Sequence, residues 1–299
     1  MSLLNRLVVT ALPLIPKAIV GQVAKRYIAG TTLGDAVAVA KSLNSGGMMV
    51  TMDLLGEDVK DDGETHQVRD NIISILQSIK QHELNSNVSI KPTQLGLLID
   101  KELCLRNIRS IVETARTLGN FVRIDMEDAR TTDGTFEIYR RLRREGYSNT
   151  GVVIQAYLRR SEADVRTLTK EGVNFRLCKG IYNESPTIAF KGRQEIRDNF
   201  VRLLQIMLEA GSYVGIATHD DHLIERAFAL VRKLGLERSH YEFQMLLGVR
   251  ESRRNDIVRD GHRLRVYVPY GEQWYAYSTR RLKENPYMAW YITKAIFVR

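Results

Sequence analysis

The chain has 299 residues, of which 44% are hydrophobic and 26% charged. That is ordinary globular composition, and it excludes low-complexity disorder, collagen and a coiled-coil rod as descriptions of the whole. Two cysteines, Cys104 and Cys178, stand without a CxxC or a paired Cys/His spacing, so neither a disulfide framework nor a structural zinc site is expected and a reducing, cytoplasmic compartment fits. Lys and Arg total 44 against 35 Asp and Glu, and the excess of +9 favours anionic partners such as a membrane surface, nucleic acid or phosphorylated ligands. It does not choose among them, and a solvated basic surface is the plain alternative.

At the N-terminus, Arg6 followed by Leu7-Val8-Val9-Thr10-Ala11-Leu12 has the look of a short signal peptide. Pro13, Pro16 and Lys17 interrupt the apolar stretch, and no small-residue cleavage site follows at the right distance. No uninterrupted apolar run approaches the ~20 residues of a membrane-spanning helix. Residues 5–45 read as one or two amphipathic helices, with a peripheral membrane foot as the sharper alternative. The expected division is an N-terminal helical segment over 1–45 and a catalytic domain over 46–299.

Past that segment one pattern recurs: a short apolar or β-branched run, a polar residue at its end, then a longer helical pattern. Eight such runs occur, at 48–55, 88–90, 121–126, 151–157, 174–178, 213–218, 241–247 and 264–268. Between them, Val68-Ile72-Ile75-Leu76-Ile79, Phe200-Leu203-Leu204-Met207-Leu208 and Leu223-Ala227-Leu230-Val231-Leu234 repeat with helical period. Gly119, Gly146, Gly172, Gly211 and Gly235 each close a helical pattern before a strand. The spacing is about 30 residues, one βα unit. Alternating strand and helix predicts a parallel sheet covered by helices, and eight units predict an α/β fold of the closed (β/α)8 TIM-barrel type rather than an open doubly wound sheet. The lack of a GxGxxG after the first strand argues against a dinucleotide-binding half.

In a barrel the chemistry sits where strands end. The polar residues there are Asp53 and Glu57; Lys91; Asp125 with Glu127-Asp128; Gln155 and Tyr157; Arg176, Lys179 and Tyr182; Thr218, His219 and Asp220; Glu242 and Gln244; Arg265 and Tyr267. Buried cations need anionic partners, so Lys91, Arg176 and Lys179 opposite Asp53 and Asp125 require either internal ion pairs or an anionic ligand. After the eighth strand, Tyr277, Arg280, Arg281 and Glu284 fall on one side of a helix beside the mouth. Two adjacent arginines form a donor set suited to a carboxylate or phosphate. Thr218-His219-Asp220-Asp221-His222 suggests a metal, but reads better as a strand end and an Asp N-cap, with His219 facing the site as a donor. Cys178 reads as a small core residue without an activating partner.

Five segments together resemble proline dehydrogenases of the single-function bacterial form. They are Arg176-Leu177-Cys178-Lys179-Gly180-Ile181-Tyr182-Asn183-Glu184, Ile216-Ala217-Thr218-His219-Asp220, Tyr241-Glu242-Phe243-Gln244-Met245-Leu246, Gln155-Ala156-Tyr157-Leu158, and Arg265-Val266-Tyr267-Val268-Pro269-Tyr270-Gly271 running on to Tyr277 and Arg280-Arg281-Leu282-Lys283-Glu284-Asn285-Pro286. The resemblance implies a (β/α)8 barrel with N-terminal helices and the last helix over the mouth, FAD as cofactor, and oxidation of L-proline to Δ1-pyrroline-5-carboxylate with electrons passed to a membrane quinone. It implies that Arg280 and Arg281, helped by Lys91, clamp the proline carboxylate, that Glu284 holds the arginines, and that Tyr277, Tyr267 and Leu246 wall the pocket. Asp125 is expected to partner Lys91, and Arg176 to lie close to flavin N5. Met126, Gln155, Lys179, Gly180, Ile181, Thr218 and His219 are the implied FAD contacts, with Tyr182 covering the flavin side. Position 181 is Ile where the family usually has Ala, and Cys178 replaces the usual Val. A separate pyrroline-5-carboxylate dehydrogenase is the implied downstream partner.

Three other readings stand beside this one. A Schiff-base lyase on the same barrel would use Lys179 as nucleophile. A nucleic-acid binder is suggested by the charge and by Arg140-Arg141-Leu142-Arg143-Arg144, which lacks interleaved aromatics and reads as an exposed helix face, so nucleic acid is not an expected partner. The same chemistry on hydroxyproline or another cyclic secondary amino acid is the third. The basic surface suits peripheral docking to the anionic inner face of a membrane.

Overall fold

The structure, a computed structural model, describes residues 21, 24–56, 59–275 and 277–278. Helix α1 (Leu33–Ser45) comes first. It starts with a reciprocal cap in which Thr32 and Asp35 satisfy each other's backbone N–H groups. The barrel then runs β1 (Met49–Leu54), α2 (Asp62–Gln81), β2 (Ser86–Ile90), α3 (Lys101–Thr117), β3 (Val122–Ile124), α4 (Thr132–Arg144), β4 (Thr150–Gln155) and α5 (Ser161–Leu168). It continues with β5 (Phe175–Cys178), α6 (Arg193–Glu209), β6 (Val214–Ala217), α7 (Asp221–Lys233), β7 (Tyr241–Leu246), α8 (Glu251–Arg259) and β8 (Leu264–Tyr270). The strands pair in chain order, all parallel, and β8 closes on β1. All eight expected strands and the three expected helical stripes are present, and the five expected glycines close their helices at φ between +61° and +87°.

The differences lie at strand ends and have local causes. β2 begins at Ser86, before the apolar run, because Ser86, Asn87 and Ser89 are buried polar residues on a strand. β3 stops at Ile124, so Asp125 and Met126 stand just past it, although the Asp125 N–H still bonds to the Ile90 carbonyl at 2.9 Å. β8 continues through Pro269, which donates nothing but offers its carbonyl to the Ala29 N–H at 2.9 Å. Of the N-terminal expectation, α1 is present; residues 5–20 lie outside the described residues.

Alternation along the strands divides two environments. One face carries Val50 and Met52, Val88 and Ile90, Val122 and Ile124, Val152 and Ile154, Phe175 and Leu177, Val214 and Ile216, and Val266 and Val268, all buried in the main core with the helices. Full burial of each such side chain contributes about 1.5–3 kcal/mol. The other face is polar: Thr51, Asp53, Asn87, Ser89, Arg123, Arg176, Glu242, Gln244, Arg265 and Tyr267. Contacts between strands that are not neighbours, such as Arg176 with Ser89 and Tyr267 with Asp125, fix these side chains inside the barrel. TIM barrels more commonly fill this space with branched aliphatics. Two glycines make room for the long side chains: a Cβ on Gly151 would meet Arg123 Nη1 at 2.5 Å, and one on Gly215 would meet Gln244 Nε2 at 2.3 Å.

α1 packs on the outer side of β8 and β1, the slot next to the seam of the barrel. Just past β8, Trp274 and Tyr277 cluster with Ala24, Ile28 and Leu55, at the C-terminal end of β1. The basic run of α4 is solvated and paired, with Arg140 against Glu171 at 3.0 Å and Arg141 against Glu102.

Glu242 and Arg265, expected among the strand-end residues at the mouth, stand instead at the N-terminal end of the barrel, because each is the second residue of its strand. There Glu242 binds Arg265 at 2.7 Å and accepts from Tyr213 at 2.6 Å. Burial pushes the Glu242 carboxyl up, but Arg265 and the hydrogen bonds outweigh it and hold it at about 2, below the ordinary 4.5. A depressed carboxyl adds stability that is complete above its unfolded pKa and is lost as pH falls through the folded value. Urea midpoints are therefore expected to fall between pH 4.5 and about 2. Glu242→Gln is expected to flatten that part of the profile and to cost about 3–5 kcal/mol at neutral pH, since it strands Arg265.

Candidate active site

At the C-terminal end of the barrel β1, β2, β3, β5, β7 and β8 bring their polar residues together. Arg176 extends from β5, donating from Nη1 to Asp125 Oδ1 at 2.7 Å and to Ser89 Oγ at 3.0 Å, and from Nε to Gln244 Oε1 at 2.6 Å. Ser89 passes its own proton to Asp125 Oδ1 at 2.9 Å, and the Tyr267 hydroxyl donates to Asp125 Oδ2 at 3.2 Å. The guanidinium stacks over the Tyr267 ring at 5.3 Å. With Arg176 6% exposed, its Nη2 is buried with no partner among the described residues. A buried charged donor left unused costs free energy unless a ligand takes it.

Lys91 lies beside this group and is ion-paired with Asp53, whose side chain is 2% exposed. Burial alone would push Lys91 down, but the Asp53 and Asp125 carboxylates outweigh it and leave the ammonium above the ordinary lysine range. The expectation that Asp125 is the partner of Lys91 is corrected here. Asp53 is the hydrogen-bonded partner, because β1 and β2 are neighbours with Asp53 in register with Ser89, two residues before Lys91, while Asp125 is taken by Arg176, Ser89 and Tyr267. The Tyr267 hydroxyl interacts with both carboxylates, and burial together with their charge pushes it well above the usual phenol range. Glu127 accepts from the Thr93 N–H at 3.0 Å and from its hydroxyl at 2.6 Å, which pins the loop that follows Lys91.

The remaining site residues fall on adjoining loops. Gln155, at the end of β4, donates from Nε2 to the carbonyls of Met126 at 3.0 Å and Glu127 at 2.7 Å, leaving Oε1 buried with no partner among the described residues. Gly180 holds φ at +101°, and a Cβ there would strike the Tyr157 ring at 2.0 Å, so only glycine lets the chain leave β5 this closely over Tyr157. Tyr182 is half-buried against the core, whereas Ile181 is 43% exposed. Thr218 accepts from the Asp220 N–H at 3.2 Å. His219 was expected as a donor; in this contact its Nε2 accepts from the Leu246 N–H at 2.9 Å, which puts the proton of the neutral ring on Nδ1.

Two further expectations change. Asp220 stands at the N-cap position of α7, but its side chain makes no cap hydrogen bond. It binds Arg197 at 2.7 and 2.9 Å and Lys179 at 3.3 Å, so Lys179 pairs there and not with Asp53 or Asp125. Burial pushes the Asp220 carboxyl up, yet Arg197 and Lys179 bring it down to about 2. Tyr277 is buried at the mouth, close enough to interact electrostatically with Tyr267. Arg280, Arg281, Glu284 and Glu57 lie outside the described residues. The reading missed Ser89 and Arg197. Ser89 carried a signal, since it stands two residues before Lys91 on one strand; Arg197 sits in a helix and carried none.

A polar cavity of about 550 Å³ at the opposite end of the barrel is lined by Asn87, Arg123, Asn174, Tyr213, Glu242 and Arg265. The site residues stand at the other end, where strand ends and βα loops converge.

A closed parallel (β/α)8 barrel with an ion-paired polar mouth defines a TIM-barrel enzyme. The comparison with known proteins then narrows the class: the family model described as proline dehydrogenase matches residues 36–290, and the chain belongs to that family. It is 39% identical over 273 residues to proline dehydrogenase 1 of Bacillus subtilis (strain 168), covering 91% of this chain and 90% of that one. It is 34% identical over 277 residues to the proline dehydrogenase of Deinococcus radiodurans, covering 91% and 89%. Among solved structures, proline utilization A (PutA) from Bdellovibrio bacteriovorus inactivated by N-propargylglycine superposes with a TM-score of 0.81 at 26% identity. That match covers 93% of this chain and 34% of the longer PutA chain.

Lys91→Met leaves Asp53 a buried carboxylate without its ammonium. The expected loss is about 3–5 kcal/mol of unfolding free energy by urea titration at neutral pH, with most of it recovered in Lys91→Met/Asp53→Leu. Equal destabilisation in the double variant would remove the ion pair as the reason these two residues are buried together.

Proposed function

We propose that the chain oxidises L-proline to Δ1-pyrroline-5-carboxylate, the first step of proline catabolism, with FAD as cofactor and a quinone as final electron acceptor. Membership of the proline dehydrogenase family supports the reaction. The observation that carries the site is Arg176, a buried guanidinium anchored on two nitrogens with the third unused at the mouth.

The residues present fit a flavin. Gln155 offers a buried unused carbonyl oxygen, Arg176 an unused N–H pair, and Gly180 a bare stretch of backbone beside Tyr157. Met126, Gln155, Lys179, Gly180, Ile181, Thr218 and His219 would hold it, with Tyr182 covering its edge. FAD, when bound, supplies the two-electron acceptor for hydride and the link to a quinone.

The substrate side rests on the segments that resemble the family. They imply that Arg280 and Arg281 with Lys91 would bind the proline carboxylate, that Glu284 would steady the arginines, and that Tyr267, Tyr277 and Leu246 would enclose the ring. Holding the carboxylate orients the carbon next to nitrogen, and positioning of this kind contributes several kcal/mol to the rate, up to about 7–11. Hydride leaves that carbon only when the nitrogen has a free lone pair, so proline reacts as the amine. Asp125 is occupied by Arg176, Ser89 and Tyr267, whereas Asp53 is ion-paired to Lys91 through Oδ1 and keeps a buried Oδ2 with no hydrogen-bond partner among the described residues. The cationic clamp disfavours the ammonium form of the substrate, which sheds its proton to solvent. Lys179 engages Asp220 and is half-exposed, unlike the desolvated lysine that Schiff-base chemistry uses.

The basic excess supports docking on an anionic membrane surface at the cytoplasmic face, where a quinone is reached. No helix among the described residues is long and apolar enough to cross a membrane. The product passes to a separate pyrroline-5-carboxylate dehydrogenase. Retention on anionic liposomes at low salt tests the docking, and protein left in the supernatant would remove it.

The visible spectrum of the purified protein is the primary test: a flavin spectrum that bleaches on anaerobic addition of L-proline is expected, and a flavin indifferent to proline would move the substrate elsewhere. Arg281→Met is expected to raise the proline KM more than about tenfold with flavin retained, the loss of a charge-assisted contact. Because Lys91 stays protonated above the ordinary lysine range, kcat/KM is expected to rise with pH through the upper neutral range toward the amine ionisation. A flat profile there would contradict reaction of the free amine.

A further inference from the structure

Gln244 is buried inside the barrel and none of the roles above uses it. Its two ends are committed to groups of fixed polarity. Oε1 accepts from Arg176 Nε at 2.6 Å, and Nε2 donates to Glu242 Oε1 at 2.6 Å. A guanidinium only donates and a carboxylate only accepts. The amide therefore has one orientation, a point that amide side chains usually leave open.

The strand order explains how these groups meet. Arg176 on β5 is in register with Gly215 on β6, and Gly215 with Glu242 on β7. The missing side chain at Gly215 is the gap through which Arg176 and Gln244 join across the intervening strand, since a Cβ there would come within 2.3 Å of Gln244 Nε2. Glu242 is itself anchored by Arg265 Nε at 2.7 Å. A continuous line thus runs along the barrel axis from Arg265 through Glu242 and Gln244 to Arg176 and Asp125.

Asp125 and Ser89 hold only Nη1 of Arg176. One anchored nitrogen leaves the guanidinium free to swing about that point; a second fixes its plane and thereby the direction of Nη2. We propose that Gln244 is a positioning residue for the oxidation: it locks the Arg176 guanidinium so that Nη2 presents to the reacting centre, and Glu242 fixes the amide orientation that allows it. The inference rests on the proposed placement of Arg176 beside the flavin.

The test is anaerobic stopped-flow reduction of the bound flavin by L-proline in the holoenzyme, with proline affinity from the concentration dependence and flavin content and melting temperature measured alongside. Gln244→Met keeps the length and removes both polar ends. It is expected to lower the limiting reduction rate about tenfold, the effect of one hydrogen bond to a charged group, with proline affinity and flavin content near wild type and a lowered melting temperature, since Arg176 Nε and Glu242 each lose a partner. Gln244→Glu supplies a readout that a purely structural role would not move. Protonated, its acid group accepts from Arg176 and donates to Glu242 as the amide does; ionised, it faces the Glu242 carboxylate. Its reduction rate relative to wild type is expected to recover as pH is lowered, whereas that of Gln244→Met is not.

Arg176→Met separates the two levels of the argument. If it abolishes proline-dependent reduction while Gln244→Met reduces at the wild-type rate, the positioning role is overturned and the placement of Arg176 stands. If both variants reduce normally, the placement of Arg176 falls and the inference with it. Should Gln244→Met not fold, a Gln244→Glu profile parallel to wild type at every pH overturns the proposal.

Discussion

The pairing of Arg176 with Asp125 across the inside of the barrel is the contact around which the site is organised. A guanidinium inside a barrel has to be neutralised, and every neighbour it recruits becomes fixed in turn. Asp125 balances its charge, Ser89 bridges the two, Gln244 takes the Nε proton and the Tyr267 ring lies under its face. Those contacts come from β2, β5, β7 and β8 and from Asp125, the first residue past β3, whose N–H is still held by the Ile90 carbonyl, so the mouth is held by strands and their immediate ends. That is the rigidity a positioned constellation needs.

Such an interior carries a large desolvation cost, and the barrel offsets it by leaving few groups unpaired. Glu242 has Arg265, Tyr213 and Gln244; Asp53 has Lys91; Arg123, lacking a carboxylate, donates from Nη1 to the carbonyls of Val152 and Asn174 and from Nη2 to the Asn174 side-chain oxygen, with Nε unpartnered among the described residues. Burial and the neighbouring Arg176 charge still push Arg123 down to about 9. The helix-facing side of the sheet supplies the compensating stability, since its apolar residues pack against the surrounding helices. The two sides of each strand thus do different jobs, and the period of two along the backbone keeps them apart.

Buried polar atoms without partners among the described residues remain in several places, Asp53 Oδ2 and Arg123 Nε inside the barrel among them, and two bear on the proposed flavin site. Arg176 Nη2 and Gln155 Oε1 are buried polar atoms without partners among the described residues, one a donor and one an acceptor, on β5 and β4. Gly180 directs the chain over Tyr157 just beyond them. A site whose charged groups are already held by neighbouring strands is pre-organised, so that binding requires little rearrangement of the protein. α1 covers the outer side of the β8–β1 seam, and Tyr277 is buried beside Leu55 at the mouth.

The amino-acid pattern alone specified the barrel. Eight apolar runs about one βα unit apart, with helical stripes and glycine stops between them, leave little else to form, because hydrophobic period and turn residues are local properties. It also pointed to strand ends as the place of the candidate site, since strand ends are legible and the five matching segments fall on or next to them. Partners were another matter. Which carboxylate Lys91 would choose depends on Asp53 standing in register beside β2, and whether Asp220 would cap α7 or bind Arg197 depends on how a helix and a loop pack. Register and packing join residues far apart in the chain, and no local pattern encodes them. The sequence therefore determined the barrel; the tertiary structure decided which polar residues stand at its mouth, sending Glu242 and Arg265 to the other end, and which charges they meet, because pairing inside a closed sheet is set by the distances that closure imposes.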